Sequence, residues 1–425
     1  MSNIEISSTH DHKANSWPKW PVFDRNAIVK DIERVLDSGR WAISGQWTGA
    51  ESETQKFERK FADYNQIEYC ALTDHGTTAL TSALIALDIG PGDEVIVPAL
   101  TWPATAIAVL QVNAVPIIVD VSPDDYCISI DKVKAAITPR TKACIPVHLY
   151  GSTCDMERLM ELSNEYGFFV IEDCAHSHGT VYQGRRVGTI GHIGIFSFQQ
   201  GKILTSGEGG AVVTSHQSIY EKLCNIRFNS RTLKKDEPII GEMELVEDDN
   251  IMGTNYCITE FQAAILSSQL DHLDEQNEKR SSNANYLNSL LEGIEGVSTI
   301  PKSKGVSTQS FYRYCFKIDR AFFGSRSTTE ICESLKNRLG IVFEQPYSPL
   351  SSSKIYKPTT IKKHRLSKEY IEQISPIESK TPIAIKASSD EAIVFHHSVL
   401  LADRNNMELI AEAIRLEQNR YKEMV

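Results

Sequence analysis

Apolar positions first recur at helical spacing after Asp24: Ile28, Val29, Ile32, Val35 and Leu36, before Ser38-Gly39 closes the run. Asp24 is a suitable N-cap, since its carboxylate can accept from the free amides of a first turn. From Tyr69 to about Thr214 the period changes. Short apolar runs appear at YCALT (69–73), EVIVPA (94–99), PIIVDV (116–121), KACIPVHL (142–149), FFVIED (168–173), IGIFSF (193–198) and AVVT (211–214). Between them lie amphipathic stretches such as TTALTSALIAL and MERLMELSNEYG. This alternation predicts an α/β fold with a mostly parallel sheet covered by helices on both faces. Sheets of this kind take their ligands at the carboxyl ends of the strands.

Beyond the last strand the pattern loosens. KKDEPIIGEMELVEDDN (234–250) is charged and reads as an exposed excursion. Thr259 opens a long helix, TEFQAAILSSQLDHLDEQ, with Gln262 as its capping-box partner. Past about residue 276 helix and strand patterns mix, with YRYCFKI (312–318) as a strand. The organisation expected is a flexible lead-in over 1–23, a large domain over 24–275 and a smaller α+β C-terminal domain over 276–425.

Composition narrows the class of protein. The chain has 425 residues, ordinary hydrophobic content and a formal net charge of −11, so it offers no general basic surface to a nucleic acid. No apolar run reaches the length of a membrane span, and MSNIEISSTHDHKANSW lacks the apolar centre of a signal peptide. Nine scattered cysteines never form a C-x-x-C pair. The expectation is a reduced, cytoplasmic protein with no metal site and no membrane partner.

Three constellations carry candidate chemistry. In IEDCAHSHG, Asp173 ends an apolar strand, either as a helix cap or as a carboxylate facing a cationic ring nitrogen in the ligand crevice. In TDHGTTAL, a strand ends at a glycine and hydroxyl residues open a helix. Gly76 and Thr77 there form either an ordinary turn or a phosphate site on free helix amides. In SFQQGKILTSGEGGAV, Lys202 stands among glycines, hydroxyls and amides, as a solvated loop residue or as a buried Schiff-base amine. Gly201 would allow a tight turn, and Ser197 could add a hydroxyl to a phosphate. Taken together, a phosphate turn, a strand-end Asp and then Ser and Lys stand in the order a pyridoxal phosphate site needs. Nucleotide motifs and a G-x-S-x-G elbow are absent.

TDHGTTAL, PALTWPATA, VDVSPDDYCI, PVHLYG, IEDCAHSHG, SFQQGKILTSGEGGAVVT and GTNYCITEFQAAIL, in that order, resemble the DegT/DnrJ/StrS aminotransferases, fold-type I pyridoxal 5'-phosphate enzymes acting on sugars and cyclitols. RWAISGQWTG (40–49), TNYCITEFQ and FHHSVLLA (395–402) are most similar to the branch that aminates 2-deoxy-scyllo-inosose or scyllo-inosose with L-glutamine. The resemblance implies Lys202 as the Schiff-base lysine, Asp173 as the pyridine-nitrogen partner and Trp102 as the aromatic stacked on the cofactor ring. It implies Gly76, Thr77 and Ser197 at the phosphate, His176 near the ring hydroxyl, and Asn255 reaching the phosphate of the other subunit of a homodimer. Trp102 as core and His176 as a structural histidine stay open. His396 and His397 are either a buried structural pair or part of a substrate pocket, and Tyr347 is a further pocket candidate. His75 and Glu208 receive no role.

The activity implied is ping-pong transfer of an amino group from L-glutamine, or glutamate, to a keto-cyclitol. A nucleotide-linked keto-sugar aminotransferase and a dehydrating lyase like the 3-amino-5-hydroxybenzoate synthases are the alternatives. A non-catalytic descendant fits poorly with an intact Lys202 and Asp173. Related sugar 3-dehydrases carry histidine in place of this lysine.

Overall fold

The computed structural model describes residues 17–234, 236 and 238–422. Most of the expected lead-in, residues 1–16, lies outside them. Asp24 caps helix α1 (Arg25–Ser38) by accepting from the Asn26 and Ala27 amides, and Gly39 closes it in the left-handed conformation at φ 63°. Helix α2 (Glu53–Asn65) follows. The alternating region is β1 (Tyr69–Thr73), α3 (Gly76–Ala86), β2 (Glu94–Pro98), α4 (Ala104–Gln111), β3 (Val115–Val119), α5 (Ile130–Ala136), β4 (Thr141–Cys144), α6 (Met156–Tyr166) and β5 (Phe169–Asp173). After a small hairpin, β6 (Val181–Tyr182) and β7 (Arg185–Arg186), strands β8 (Ile193–Ser197) and β9 (Gly210–Thr214) complete the sheet. Its order is β1-β9-β8-β5-β4-β2-β3. Every neighbouring pair is parallel except those of β9, which runs antiparallel to both β1 and β8. Successive residues bury into opposite layers: Leu72 and Val170 join one core, Ala71 and Ile171 the other.

Three local readings are corrected. The run 142–149 is strand only to Cys144. Pro146 has no amide N–H to give a ladder, and the chain turns into a short 3-10 segment at Leu149–Gly151. The excursion 234–250 is partly ordered by a hairpin between β10 (Arg231–Leu233) and β11 (Leu245–Glu247), after helix α7 (Gln217–Arg227). The long helix from Thr259 is two helices, α8 (Glu260–Leu270) and α9 (Leu273–Leu291). The capping box of Thr259 and Gln262 forms as expected. The break follows from packing, because α8 lies on α1 and α2 whereas α9 lies on the C-terminal helix.

The remaining strands are β12 (Val297–Thr299), β13 (Val306–Thr308), β14 (Arg313–Ile318), β15 (Phe343–Glu344) and β16 (Ala392–His396). All but β13 form a second, antiparallel sheet in the order β12-β14-β16-β15. Helices α10 (Thr328–Leu339), α11 (Lys368–Ile374), α12 (Pro382–Lys386) and α13 (Arg404–Lys422) lie between and after these strands. This sheet and α9, α10 and α13 share a separate apolar core containing Phe316, Phe323, Phe395 and Met407. Residues 17–23, read from sequence as the end of the lead-in, are docked. The Trp17 indole N–H donates to Leu339 O at 2.8 Å, and that of Trp20 to Gln200 O at 2.7 Å. No helix among the described residues is long and apolar enough to cross a membrane.

Candidate active site

A cleft of about 330 Å³ opens at the carboxyl ends of the large sheet. Gly76, Thr77, Trp102, Asp173, His176, Ser197, Lys202 and Tyr347 all line it, so eight of the residues singled out from sequence meet in one place. The topology explains the convergence. β1 delivers Gly76 and Thr77 at the start of α3, β5 ends on Asp173, and β8 ends on Ser197 with Lys202 in the following turn.

Asp173 is buried, and each of its carboxylate oxygens has a neutral donor. The Thr105 hydroxyl donates to Oδ2 at 3.0 Å and the Ala175 amide to Oδ1 at 3.2 Å. Burial pushes the carboxyl up from its usual range, while the Ala175 amide, the Lys202 charge and the Thr105 hydroxyl pull it back. Lys202 is 8% exposed, and Asp173 acts on it through charge and not through a hydrogen bond. Its Nζ lies instead 4.3 Å from the centroid of the Tyr312 ring. Burial lowers the ammonium below the usual lysine range; Tyr312 and Asp173 oppose this, and Arg313 adds to it.

Sequence reasoning passed over Tyr312, Arg313 and Thr105. The Tyr312 ring stacks on His176 with centroids 4.0 Å apart and planes at 11°. His176 accepts from the Tyr150 amide through Nδ1 at 3.4 Å, and its Nε2 faces the Tyr347 hydroxyl at 3.5 Å. Burial, with Lys202 and Arg313, keeps the His176 imidazole well below its ordinary pKa and therefore neutral. Arg313 pairs with Glu344 through one nitrogen, while its Nε has no partner. Trp102 is 51% exposed, so it presents a bare aromatic face at the cleft and is not part of the core.

The cleft floor leaves no room for side chain. A Cβ placed at Gly76 would lie 2.6 Å from Ser197 Cβ, and one at Gly210 would lie 2.4 Å from the His75 carbonyl oxygen. Glycine at both positions lets the chain close around the amides at the start of α3. Gly201 lies in the expected turn, which the Lys202 amide closes by donating to Gln199 O at 2.8 Å, with its φ outside the left-handed region. His75 and Glu208, left without a role, face one another at 3.7 Å beside the cleft.

Three singled-out residues do not line the cleft. Asn255 is exposed, its Oδ1 accepts from the Cys257 amide at 3.1 Å, and the adjoining Tyr256 carbonyl accepts from Asp74. His396 contacts Ser398 Oγ at 2.9 Å, and buried His397 reaches the Gly201 carbonyl at 3.2 Å. Elsewhere, buried His148, Glu172 and Cys174 bring potential ligand atoms within 4.8 Å of one another. The Glu172 carboxylate is already occupied by the Gly188, Ile190 and Gly191 amides.

A mostly parallel sheet with a lysine buried beyond a strand-end aspartate, beside a glycine-floored helix N-terminus, defines a fold-type I aminotransferase. The chain belongs to the DegT/DnrJ/EryC1/StrS aminotransferase family, whose profile matches residues 24–406. It is 39% identical over 412 residues to the L-glutamine:2-deoxy-scyllo-inosose aminotransferase of Streptomyces kanamyceticus, covering 97% of this chain and 96% of that one. The protein of the same name from Streptoalloteichus tenebrarius is 41% identical over 415 residues, again covering 97% and 96%. Among solved structures, a 3-amino-5-hydroxybenzoic acid synthase matches with a TM-score of 0.81 at 31% identity, covering 96% of this chain and 100% of that one.

Proposed function

We propose that this protein moves an amino group from L-glutamine to a keto-cyclitol such as 2-deoxy-scyllo-inosose, in the cytoplasm, as a step of aminocyclitol biosynthesis. The observation that carries the chemistry is a buried Lys202 in the same cleft as a buried Asp173. The keto-cyclitol rests on the two relatives named for that activity.

The donor set fits pyridoxal 5'-phosphate. The α3 amides at Gly76 and Thr77, with Ser197, would hold the phosphate on a floor that a Cβ would fill. Asp173 would hold the ring nitrogen, Trp102 a ring face, and His176 the ring hydroxyl. When bound, the cofactor supplies an electron sink for the carbanion formed at the substrate carbon.

Lys202 does the proton work. Its lowered pKa favours the free amine, and Nζ takes a proton from the amino-bearing carbon of the donor. In the second half-reaction the same Nζ returns a proton to the former carbonyl carbon of the acceptor. The donors from Ala175 and Thr105 favour the charged form of Asp173 against the burial that raises it. The Tyr312, His176 and Tyr347 rings wall the amine off from bulk water. Arg313, which lines the cleft, receives the α-carboxylate of the amino donor.

The active unit is a homodimer in which Asn255 reaches the partner's phosphate site. Exposed Trp41, Ile239, Ile240 and Met252 supply apolar surface for a second copy to cover. The test offers the loaded enzyme L-glutamine with a panel of keto-cyclitols and nucleotide-linked keto-sugars, with mass detection of the amine. Exclusive amination of a nucleotide sugar would overturn the cyclitol assignment. Dehydration of an aminated cyclohexenone would replace it with a lyase activity.

A further inference from the structure

Trp20 and His397 come from opposite ends of the chain and meet on the turn that carries Lys202. Within that turn every amide is satisfied locally. Gln200 N donates to Gly207 O at 2.7 Å, Gly201 N to Gln199 Oε1 at 2.8 Å, and Lys202 N to Gln199 O at 2.8 Å. The carbonyls of Gln200 and Gly201 point the other way and are taken up by side chains. Trp20 Nε1 donates to Gln200 O at 2.7 Å, and His397 Nε2 lies 3.2 Å from Gly201 O. The two rings touch edge to face, with centroids 4.4 Å apart and planes at 82°.

We propose that Trp20 and His397 are positioning residues for Lys202, clamping the two peptide carbonyls that immediately precede it. The inference rests on the reading of Lys202 as the reactive amine. A lysine side chain has four rotatable bonds, so its reach is defined only if its Cα is held. The partner of His397 is a carbonyl, which only accepts, so the Nε2–H tautomer is required. Its Nδ1 is buried without a partner, leaving the ring neutral and the donor in place. The Trp20 segment is itself fastened at both ends. Trp17 binds Leu339 O, and Gln276 Nε2 binds Val22 O at 3.2 Å. Buried Arg280, which binds Asn277 and Gln276, places its guanidinium 5.4 Å from the Trp20 ring. The residues before the first helix therefore act on the active site, and His397 acts from behind the cleft.

The test uses the full chain loaded with pyridoxal 5'-phosphate. Trp20→Phe keeps the ring and removes the N–H, His397→Leu removes its donor, and His397→Gln retains one. Amide hydrogen exchange is followed in the peptide spanning 198–207, alongside steady-state kinetics. Loss of one such bond is expected to speed exchange in that peptide about fivefold to tenfold. A comparable fall in kcat is expected, with KM for L-glutamine within about twofold of wild type. His397→Gln is expected to restore most of both. Wild-type exchange in Trp20→Phe and His397→Leu overturns the proposal. So does faster exchange spread evenly through α3 and the large sheet, which marks a general loss of stability. Should no acceptor be aminated, the exchange comparison still decides the clamp, so failure of the functional reading is told apart.

Discussion

Replacing Gly76 by alanine puts a methyl group where Ser197 already stands. The new Cβ would lie 2.6 Å from Ser197 Cβ, 3.0 Å from its Oγ and 3.2 Å from its Cα. Ordinary contact begins at 3.4 Å, so one side must withdraw by about 3.4 − 2.6 = 0.8 Å. Neither side is free to do so: Ser197 pairs with Gly210 at the end of β8, and Gly76 opens α3. Gly76 is not in the left-handed region, so the cost is steric alone. Overpacking of this kind costs about 1–3 kcal/mol, and here it also pushes into the space assigned to a phosphate. Two assays read the two effects: thermal unfolding of the cofactor-free protein, and titration with pyridoxal 5'-phosphate followed by fluorescence. A drop of a few degrees in midpoint and at least about tenfold weaker cofactor binding are expected. Gly293→Ala is the control, because nothing lies within 4 Å of its Cβ. Wild-type cofactor affinity in Gly76→Ala would refute the phosphate cradle.

Thr105→Val removes a hydroxyl donor from Asp173 while keeping the shape, and kcat is expected to fall about tenfold with KM for L-glutamine within about threefold. Equal activity would show that Asp173 needs no such support. Arg313→Gln is expected to raise KM for L-glutamine at least about tenfold and to leave KM for the keto substrate nearly unchanged. Equal effects on both substrates would remove Arg313 from donor recognition. Burial, followed by Lys202, lowers His178 to about 3, and burial, followed by Arg313, lowers His396 to about 4. Unfolded imidazole titrates near about 6.5, so between these values the unfolded chain binds protons that the folded chain does not, and stability rises with pH. The urea midpoint is expected to fall as pH drops from about 6.5 towards 4, less steeply in His178→Asn. An unchanged slope in that variant would show that His178 does not contribute.

The sheet and the cleft floor were legible because their signals are local. A short apolar run ending in Asp, or a glycine followed by hydroxyls, states its own position, and the parallel topology brings such strand ends together. Tyr312 and Arg313 were not legible as site residues. YRYCFKI announces a strand, but nothing in its alternation says that its first two residues lie against a lysine more than a hundred positions earlier. His75 and Glu208 sit on separate loops that meet only after folding. FHHSVLLA pointed to two histidines without their direction; burial and the Gly201 carbonyl turn His397 away from the substrate space. The long helix failed at Asp271 and His272 because tertiary packing, which periodicity does not encode, bends the chain there.

The most direct test of the central claim loads the purified protein with pyridoxal 5'-phosphate and gives it L-glutamine and 2-deoxy-scyllo-inosose, beside the Lys202→Ala variant. The expected result is a visible absorption band that L-glutamine bleaches, formation of the aminocyclitol by mass, and loss of both in Lys202→Ala. A protein that binds no pyridoxal 5'-phosphate, or a Lys202→Ala variant that turns over like wild type, would contradict it.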